Sequence, residues 1–379
     1  EEAWATIRDR FYDPNHHNRD WSALKKTYKP LAMKASTRAD FKAVFNKMLG
    51  QVNASHMGMS GGEERKSVQS ELTGYLGMEF QPNTNGSLRV TSVIPNSAGD
   101  RETSKIIPGD VVLSVNGEKV SANENIYKYL EGTANEKIIL EVNRNGQTRE
   151  VVIRPKTSVR TDNYNAWVKE RKRLTDVYSG GRLGYIHIQG MNWPSFERFE
   201  RELAAAGHGK EGIVIDVRYN GGGWTTDYLM AVLNVKQHAY TVPRGAAKDV
   251  AKEHKNFTEY YPFSERLPLA AWTKPSIALC NASSYSNAEI FSHAYKELNL
   301  GTLVGVPTFG AVISTGGQSL IDGSRVRVPF RGWFVKSSEK NMDFTPATPD
   351  IIVYDAPDEK AKGVDSQLKR AVDELLKQL

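Results

Sequence analysis

The sequence predicts a mixed α/β protein of several domains, in which a β-rich segment is set between a helical start and an alternating α/β end. Its 379 residues exceed the usual size of one domain and favour about two or three. Hydrophobic residues make up 39% and charged residues 25%, so the chain can bury sizeable cores and is not disordered. The spacing of the apolar residues changes along the chain and predicts domains over 1–70, 71–157 and 158–379.

The first 52 residues or so are predicted to form three helices, the last of which opens at Thr37-Arg38-Ala39-Asp40. Residues 53–58 are turn-rich and non-periodic, and 61–66 are predicted to be an exposed connection. The apolar positions of the three helices are, in order, Trp4, Ile7, Phe11 and Tyr12; Trp21, Leu24, Tyr28 and Leu31; and Phe41, Val44, Phe45 and Leu49.

Short strands and turns fill the next segment, from about residue 74 to 156. The predicted strands begin near Leu76, Leu88, Val111, Ile138 and Arg149, and one helix covers 124–132. This order, with Gly74-Tyr75-Leu76-Gly77 and Pro108-Gly109-Asp110 before two of the strands, resembles a PDZ domain. The resemblance implies that a peptide adds to the sheet edge while the loop containing Leu76 and Gly77 binds its terminal carboxylate. The alternative is a PDZ fold that acts only as a lid or spacer.

Strands and helices alternate in the last segment. This alternation predicts an α/β layer with a largely parallel sheet, and loops at the carboxyl ends of its strands are expected to hold the functional site. The predicted strands are 183–188, 212–218, 276–280 and 302–306, and the predicted helices are 163–178, 193–206, 225–233, 287–298 and 364–379.

The composition excludes several classes of protein. No apolar run of about 18 residues exists, so no membrane-spanning helix is predicted. The single cysteine, Cys280, excludes an internal disulfide and a cysteine-based zinc site, and its apolar neighbours predict burial. The net charge of +6 is mild, and its densest cluster, 169–173, favours a solvated helix face over a phosphate-binding patch. The start at Glu1, without methionine or signal peptide, predicts a processed form or a fragment.

Two strand-to-helix loops are candidates for chemistry. In Asn220-Gly221-Gly222-Gly223, glycines let backbone amides approach a ligand closely, which suits an oxyanion; a plain flexible turn is an equal alternative. In the second loop, Ser286 precedes a helix and Glu289 follows three positions later, which is also the pattern of a capping box. The same position would put a serine hydroxyl and the next amide at the positive end of a helix dipole.

A serine nucleophile needs a base, and the chain has eight histidines. His16 and His17 lie in a polar loop and are predicted to be solvated, and His238 has no partner pattern. His56, beside Ser55 in an irregular segment, is the one least explained by packing. Local reasoning does not connect His56 with Ser286.

The motifs taken together resemble a known family. A helical start ending in Ser-His, a PDZ domain, Asp-x-Arg-x-Asn-Gly-Gly-Gly, Asn-x-x-x-x-Ser before a helix and a closing Pro-Asp occur in this order. They resemble the tricorn-type members of the C-terminal-processing serine peptidases, and the resemblance covers essentially the whole chain. It implies an α/β sandwich of the ClpP/crotonase-like type for the catalytic part. Tricorn proteases carry β-propellers upstream, so the chain is expected to be the core of a longer protein.

The resemblance also implies roles for individual residues. Ser286 would be the nucleophile and His56 the general base, with Ser55 beside it. The family's acidic member is a glutamate six positions before Pro-Asp, where this chain has the shorter Asp343. The oxyanion hole would be formed by Gly223 and Asn287, and substrate would contact Gly222, Thr241, Leu76 and Gly77. Thr241 stands where tricorn has an aspartate, so a basic P1 preference is not expected.

The function implied is hydrolysis of peptide bonds in unfolded proteins or oligopeptides through an acyl-enzyme, with no metal or other cofactor. We expect a peptide or unfolded-protein substrate, no nucleic-acid partner, a homo-oligomer (a hexamer by resemblance) and a cytoplasmic location. Two alternatives remain: a lipophile-binding protein on the same fold, as in interphotoreceptor retinoid-binding protein, and a PDZ peptide-binding scaffold. The presence of Ser, His, the glycine turn and the PDZ domain favours the enzyme.

Overall fold

A computed structural model of the chain describes residues 1–62, 71–84, 86–236, 240–258, 271–359 and 361–379. His238 and part of the predicted connection 61–66 lie outside these ranges. The chain divides into two units, one of Glu1–Glu64 with Lys172–Leu379 and one of Arg65–Arg171. The sequence-based bounds at 70/71 and 157/158 stay a prediction.

Three helices begin the first unit, as the sequence predicts: α1 (Glu2–Arg10), α2 (Trp21–Ala32) and α3 (Arg38–Gly50). Thr37 and Asp40 form a capping box at the start of α3, which satisfies amides that a helix leaves unpaired. The helices share a core with one face of a sheet in the order β1-β13-β12, formed by β1 (Gly58–Gly61), β12 (Ile313–Ser319) and β13 (Ser324–Gly332). The sequence analysis did not identify any of these three strands.

The prediction that His16 and His17 are solvated is wrong. His16 is 5% exposed, because its ring stacks between Phe11 and Trp21. The two ring nitrogens of His17 lie 2.7 Å from the Tyr12 hydroxyl and 3.0 Å from the Val52 carbonyl. Both histidines therefore belong to the packing of the helical segment, since Phe11 and Trp21, which flank the loop, enclose His16, and Tyr12 and Val52 contact His17.

A parallel sheet forms the centre of the first unit. Its strands are β8 (Leu183–His187), β9 (Gly212–Asp216), β10 (Ser276–Cys280), β11 (Leu303–Gly305) and β14 (Ile351–Ile352), in the order β14-β11-β10-β9-β8. One face packs on α5 (Trp193–Gly207), α6 (Thr226–Leu233) and α8 (Asn287–Glu297), and the other on α9 (Ser366–Leu376). Cys280 lies in the core on β10 as a buried thiol. The loops after β9 and β10 emerge side by side, because neighbouring parallel strands end at the same edge.

The second unit is a small antiparallel sheet with its own core. Its strands are β2 (Met78–Pro82), β3 (Leu88–Val93), β4 (Val111–Val115), β5 (Glu118–Lys119), β6 (Ile138–Arg144) and β7 (Gln147–Ile153), and β2 is an edge strand. The helix predicted over 124–132 is a shorter 3₁₀ helix, Ile126–Leu130. Asp110 of the Pro-Gly-Asp motif is buried and pairs with Arg144 Nε at 2.7 Å, which links the turn before β4 to β6.

Two further α-helices lie in the described ranges, together with short 3₁₀ helices at Ala98–Asp100, Glu102–Ser104 and His254–Phe257. The α-helices are α4 (Arg160–Ser179), which passes from the second unit into the first, and the short α7 (Val250–Glu253). None of the helices in the described ranges is both long enough and apolar enough to span a bilayer.

Candidate active site

The triple-glycine turn follows β9 and is positioned by Asn220. The buried Asn220 side chain donates from Nδ2 to the Ile188 carbonyl at 2.8 Å, and its Oδ1 accepts from the Gly222 amide at 2.9 Å. Its carbonyl accepts from the Tyr285 amide at 2.9 Å, which joins this turn to the loop after β10. The turn is therefore held on both sides and is not a freely flexible one.

Gly222 and Gly223 are glycines for steric reasons. They have φ of +88° and +145°, in the region that side chains disfavour. A Cβ on Gly222 would lie 2.7 Å from Ser286 Cβ and 3.0 Å from the Asn287 nitrogen. A Cβ on Gly223 would lie 1.8 Å from the Met191 carbonyl oxygen. The absence of side chains thus lets this turn pack directly against the Ser286 backbone.

Ser286 stands at the junction between the loop after β10 and helix α8. Its φ of 56° and ψ of −117° are unusual for a residue with a side chain, and such strain persists only where surrounding contacts hold it. The predicted capping box is present at the start of α8, and in it the Ser286 amide donates to Glu289 Oε1 at 3.0 Å. The Ser286 hydroxyl also contacts a histidine: its Oγ lies 2.9 Å from His56 Nε2.

The second ring nitrogen of that histidine continues a chain of contacts. His56 Nδ1 lies 2.7 Å from the Ser55 hydroxyl, which donates to Asp343 Oδ1. The Ser55 amide also donates to Asp343, at 3.0 Å to Oδ2. Residues that are far apart in sequence thus form one linear arrangement, Asp343–Ser55–His56–Ser286.

This chain of contacts determines which nitrogen of His56 carries the proton in the neutral ring. The ionised Asp343 carboxylate only accepts, so the single Ser55 proton is donated to it. The Ser55 oxygen is then left to accept from Nδ1–H of His56, and Nε2 keeps its lone pair toward the Ser286 hydroxyl. Nε2 is therefore set to take a proton from Ser286.

Two backbone amides next to Ser286 are free to bind an anion. Met191 bridges the glycine turn through the Gly222 carbonyl and the Trp224 amide, so the N–H of the intervening Gly223 faces the other way. The Asn287 N–H is at the first position of α8, where no intrahelical acceptor exists. Within the described ranges neither amide donates to a protein acceptor. The pair provides the donors that an oxyanion hole requires.

Burial shifts the proton affinities of the two titratable groups in this arrangement. Burial, with a smaller contribution from the charge of Arg327, lowers the pKa of His56 to about 4. Burial raises the pKa of Asp343 above its ordinary value, and the hydrogen bonds from Ser55 partly oppose this. His56 is therefore neutral, as a proton acceptor must be, across the physiological range.

Three family models match the chain in sequence order. The model described as the tricorn protease C1 domain matches residues 1–50, and the tricorn protease PDZ domain model matches 74–158. The model of peptidase family S41 matches 182–353. Together they span most of the chain. The chain is thus similar to peptidase family S41 over 182–353 and to tricorn protease domains over 1–50 and 74–158.

The curated relatives include tricorn proteases and their homologues. The chain is 26% identical to the tricorn protease of Thermoplasma volcanium, over 100% of its own length and 36% of the relative's. It is 27% identical to tricorn protease homolog 1 of Streptomyces coelicolor, over 98% and 34% of the two chains. The chain thus spans about a third of the length of these relatives.

The fold agrees with solved structures of this class. The crystal structure of the tricorn protease superimposes with a TM-score of 0.84 at 25% identity, covering 100% of this chain and 36% of that one. Mature CPAF superimposes with a TM-score of 0.52 at 15% identity, covering 99% and 98%, which shows a shared fold alone. The chain is therefore a mixed α/β protein with a PDZ domain, as the sequence predicts.

The site also contains residues to which the sequence analysis assigned no role. The Tyr285 ring stacks on His56 at 4.8 Å between centroids, and its hydroxyl lies 3.1 Å from Nδ1. Glu289 accepts from the amides of Ser286 and Ala311, both at 3.0 Å, and from Thr308 Oγ1 at 2.8 Å. The sequence shows that Glu289 stands three residues after Ser286. Its contacts with the segment 308–311 form only when the chain folds.

The Asp-x-Arg part of the glycine motif forms a buried ion-pair network. Arg218 donates to Asp216 and to Asp365, the capping residue of α9, and the Tyr185 hydroxyl donates to Asp216 at 2.8 Å. These contacts tie the end of β9, and hence the glycine turn, to α9. A carboxylate on each side compensates the buried guanidinium.

The remaining predicted substrate residues are Thr241, Leu76 and Gly77. Thr241 is on an exposed segment before α7, and no hydrogen bond of the described residues joins it to Ser286 or His56. Leu76 and Gly77 belong to the second unit. In their loop the amides of Gly74 and Tyr75 already donate to the carbonyls of Leu130 and Lys156, both at 2.8 Å. The described part of the chain has no group of His, Cys, Asp and Glu side chains arranged for a metal ion.

Proposed function

We propose that this chain hydrolyses peptide bonds through an acyl-enzyme, with Ser286 as nucleophile and His56 as general base. The observation that carries the proposal is the 2.9 Å contact between Ser286 Oγ and Nε2 of His56, beside two backbone amides that have no acceptor within the described ranges. A hydroxyl in contact with a base whose other nitrogen is oriented by a third group is the arrangement that activates a serine.

The reaction proceeds in two halves. Ser286 Oγ attacks the carbonyl carbon of the peptide bond as its proton passes to His56 Nε2, and the amides of Gly223 and Asn287 stabilise the tetrahedral oxyanion. The C–N bond then breaks, and the leaving amine takes the proton from His56. Water, deprotonated by His56, attacks the Ser286 ester in the same way and releases the acid product.

Ser55 and Asp343 act as positioning residues in this proposal. They keep the Nδ1 proton of His56 in place and stabilise the imidazolium that forms during each proton transfer. Asp343 reaches His56 through Ser55, so its shorter side chain, relative to the family's glutamate, is compatible with the arrangement. The contacts that support this are the two bonds from Ser55 to Asp343.

Asp343→Asn is expected to lower kcat by about 10²-fold. The loss is smaller than the about 10⁴-fold seen when a carboxylate that contacts the histidine directly is neutralised. Asn can donate to Ser55 and so reverse the hydrogen bond that sets the tautomer. Peptide hydrolysis is measured for Asp343→Asn and Asp343→Glu, with thermal unfolding as the control for folding. We expect kcat for peptide hydrolysis to recover in Asp343→Glu but not in Asp343→Asn. Equal kcat in the two variants would contradict the positioning role.

The decrease of kcat/KM on acidification is expected to occur at an unusually low pH. Because the pKa of His56 is lowered to about 4, kcat/KM is expected to fall with a midpoint near pH 4 instead of near 6.5. In the unfolded chain this histidine titrates near its ordinary pKa, so its contribution to the free energy of unfolding is constant above about pH 6.5 and decreases from there toward pH 4. Circular dichroism at each pH separates unfolding from protonation of the base. A decrease with its midpoint at pH 6.5 in folded protein contradicts the prediction.

Labelling by a serine-directed peptidyl phosphonate tests the proposed function. We expect one phosphonate adduct per chain, located at Ser286 by mass spectrometry, together with hydrolysis of fluorogenic peptides. A lipophile-binding protein or a PDZ scaffold would bind its ligand without being labelled. Peptide binding with neither labelling nor cleavage would therefore overturn the peptidase proposal.

The proposal extends to substrate, assembly and location. We propose unfolded proteins or oligopeptides as substrates, with β2 as the PDZ edge strand to which an extended peptide adds. We also propose a homo-oligomer, a hexamer by resemblance to tricorn, in the cytoplasm. Support comes from the relatives named tricorn protease. Native mass spectrometry tests the oligomer, and fractionation of the source cells tests the location.

A further inference from the structure

Two arginines stand side by side on the outer face of the β1-β13-β12 sheet. Burial alternates along β13, where Val326 and Val328 face the core and Arg325 and Arg327 are exposed. In the register with β1, Arg327 lies opposite Gly58, and Arg325 lies opposite Ser60. The period of two in a strand therefore places both guanidinium groups on the same face.

The space around these arginines is an open groove of about 400 Å³. Small residues make room for it: a Cβ on Gly58 would have nothing within 4 Å, and a Cβ on Gly317 would lie 2.0 Å from Arg325 Nε. Arg325 thus lies flat across the neighbouring strand. The groove is lined by Ser60, Thr315, Gly316, Gly317, Arg325 and Arg327.

The positive charge of the groove is not neutralised by the described residues. Arg327 Nε donates to the Thr315 hydroxyl at 3.2 Å, which orients the guanidinium without compensating its charge. In the described part of the chain neither Arg325 nor Arg327 has a carboxylate partner, whereas nearby Arg38 pairs with Asp322. A guanidinium presents several donors that match the two oxygens of a carboxylate.

The groove adjoins the catalytic base. Strand β1 begins two residues after His56, and opposed Cα atoms in an antiparallel pair are about 5 Å apart, so Arg327 lies close to this end of the site. The charge of Arg327 contributes to the lowered pKa of His56 and partly opposes the burial that raises the pKa of Tyr285. The groove therefore lies on the strand pair that continues directly from the segment carrying His56.

We propose that Arg325 and Arg327 form a subsite that binds a carboxylate of the peptide substrate. This proposal rests on the proposed peptidase function and adds a specificity to it. The carboxylate is either the α-carboxylate at the end of the peptide or the side chain of an aspartate or glutamate near the scissile bond. Both would receive charge-assisted hydrogen bonds from the two guanidinium groups.

The test measures binding, so that it does not depend on catalysis. Fluorescent peptides are titrated into the full chain carrying Ser286→Ala, and their anisotropy gives Kd. Each peptide with Asp at one position is paired with its Asn counterpart, and each free C-terminus with its amide. We expect one of these pairs to differ by about tenfold or more in favour of the carboxylate.

Arg327→Gln and Arg325→Gln, each in the Ser286→Ala chain, are expected to reduce that ratio toward one. Arg327→Glu is expected to reverse it, because the groove then repels the anion. Arg331→Gln, at an exposed arginine of the same strand outside the groove, is the matched control and should keep the ratio. The ratio of two peptides cancels any uniform loss of affinity caused by the substitutions.

The outcomes identify the source of the carboxylate and separate the two proposals. If the arginine substitutions change the Kd ratio only for the acid/amide pairs, the groove binds the α-carboxylate. If they change it only for the Asp/Asn pairs, the groove binds a side-chain carboxylate. A carboxylate preference that survives Arg325→Gln and Arg327→Gln, as expected if the PDZ loop were the binding site, overturns the proposal, as does the absence of any preference. If the chain is not a peptidase, the chain that retains Ser286 will not be labelled by the phosphonate.

Discussion

Ser286→Ala and His56→Ala are each expected to lower kcat for peptide hydrolysis by at least about 10⁴-fold, and the double variant by no more than the worse single one. Ser286 Oγ supplies the bond to the acyl group, and His56 Nε2 accepts its proton at 2.9 Å. Without the base the hydroxyl is a poor nucleophile, and without the hydroxyl the base has no proton to take. The two residues act as a unit, so their effects are not additive.

The measurement is single-turnover cleavage of a fluorogenic peptide, with substrate binding followed separately by anisotropy. Ser283→Ala, an exposed serine of the same loop, is the matched control and should retain near wild-type turnover. Additive losses in the double variant would show that Ser286 and His56 do not act together. If either single variant cleaved the peptide at nearly the wild-type rate, that result would contradict the acyl-enzyme mechanism.

Alanine substitution along the glycine turn should have effects that differ sharply between neighbouring positions. Gly223→Ala and Gly222→Ala are each expected to lower kcat by about 10²- to 10³-fold, the usual cost of losing one oxyanion donor. At Gly223 the new Cβ would meet the Met191 carbonyl, and at Gly222 it would meet Ser286 Cβ. Either collision turns the Gly223 amide or the nucleophile away from its position.

Gly221→Ala provides the control within the same turn. A Cβ there has nothing within 4 Å, so activity should stay within a fewfold of wild type. Thermal unfolding of all three variants distinguishes a displaced amide from a disordered turn, because the former lowers kcat in folded protein. Equal losses at all three positions would indicate that the turn tolerates no side chain for reasons unrelated to the oxyanion.

Local sequence patterns predicted the regular elements where burial is strong and periodic. The five-residue strands β9 and β10 are fully buried, and their continuous apolar runs predict strands of a parallel sheet. The three N-terminal helices also follow from spacing and from the Thr37 cap. The 3₁₀ helix Ile126–Leu130 is shorter than predicted, because the Asn125 side chain caps its start by accepting from the Tyr127 amide and the backbone is extended at Glu131.

Strands β12 and β13 were missed for a physical reason. β12 contains the run Ser314-Thr315-Gly316-Gly317, which lacks β-branched alternation after its start and has the composition of a loop. Its pairing with β13, and that of β13 with β1, is what makes this segment a sheet. Only the partner strands, distant in sequence, supply the hydrogen bonds and the buried face.

The sequence by itself determined the α/β class, the PDZ segment and the candidates Ser286, His56 and the glycine turn, because these depend on local spacing and on motifs that resemble a family. It did not determine that His56 meets Ser286, that Asp343 reaches the site through Ser55, or that Tyr285 stacks on the base. Those contacts join residues up to 288 positions apart. They arise when parallel strands end at one edge and the β1-β13 pairing brings the Ser-His segment to it, which is decided by long-range packing alone.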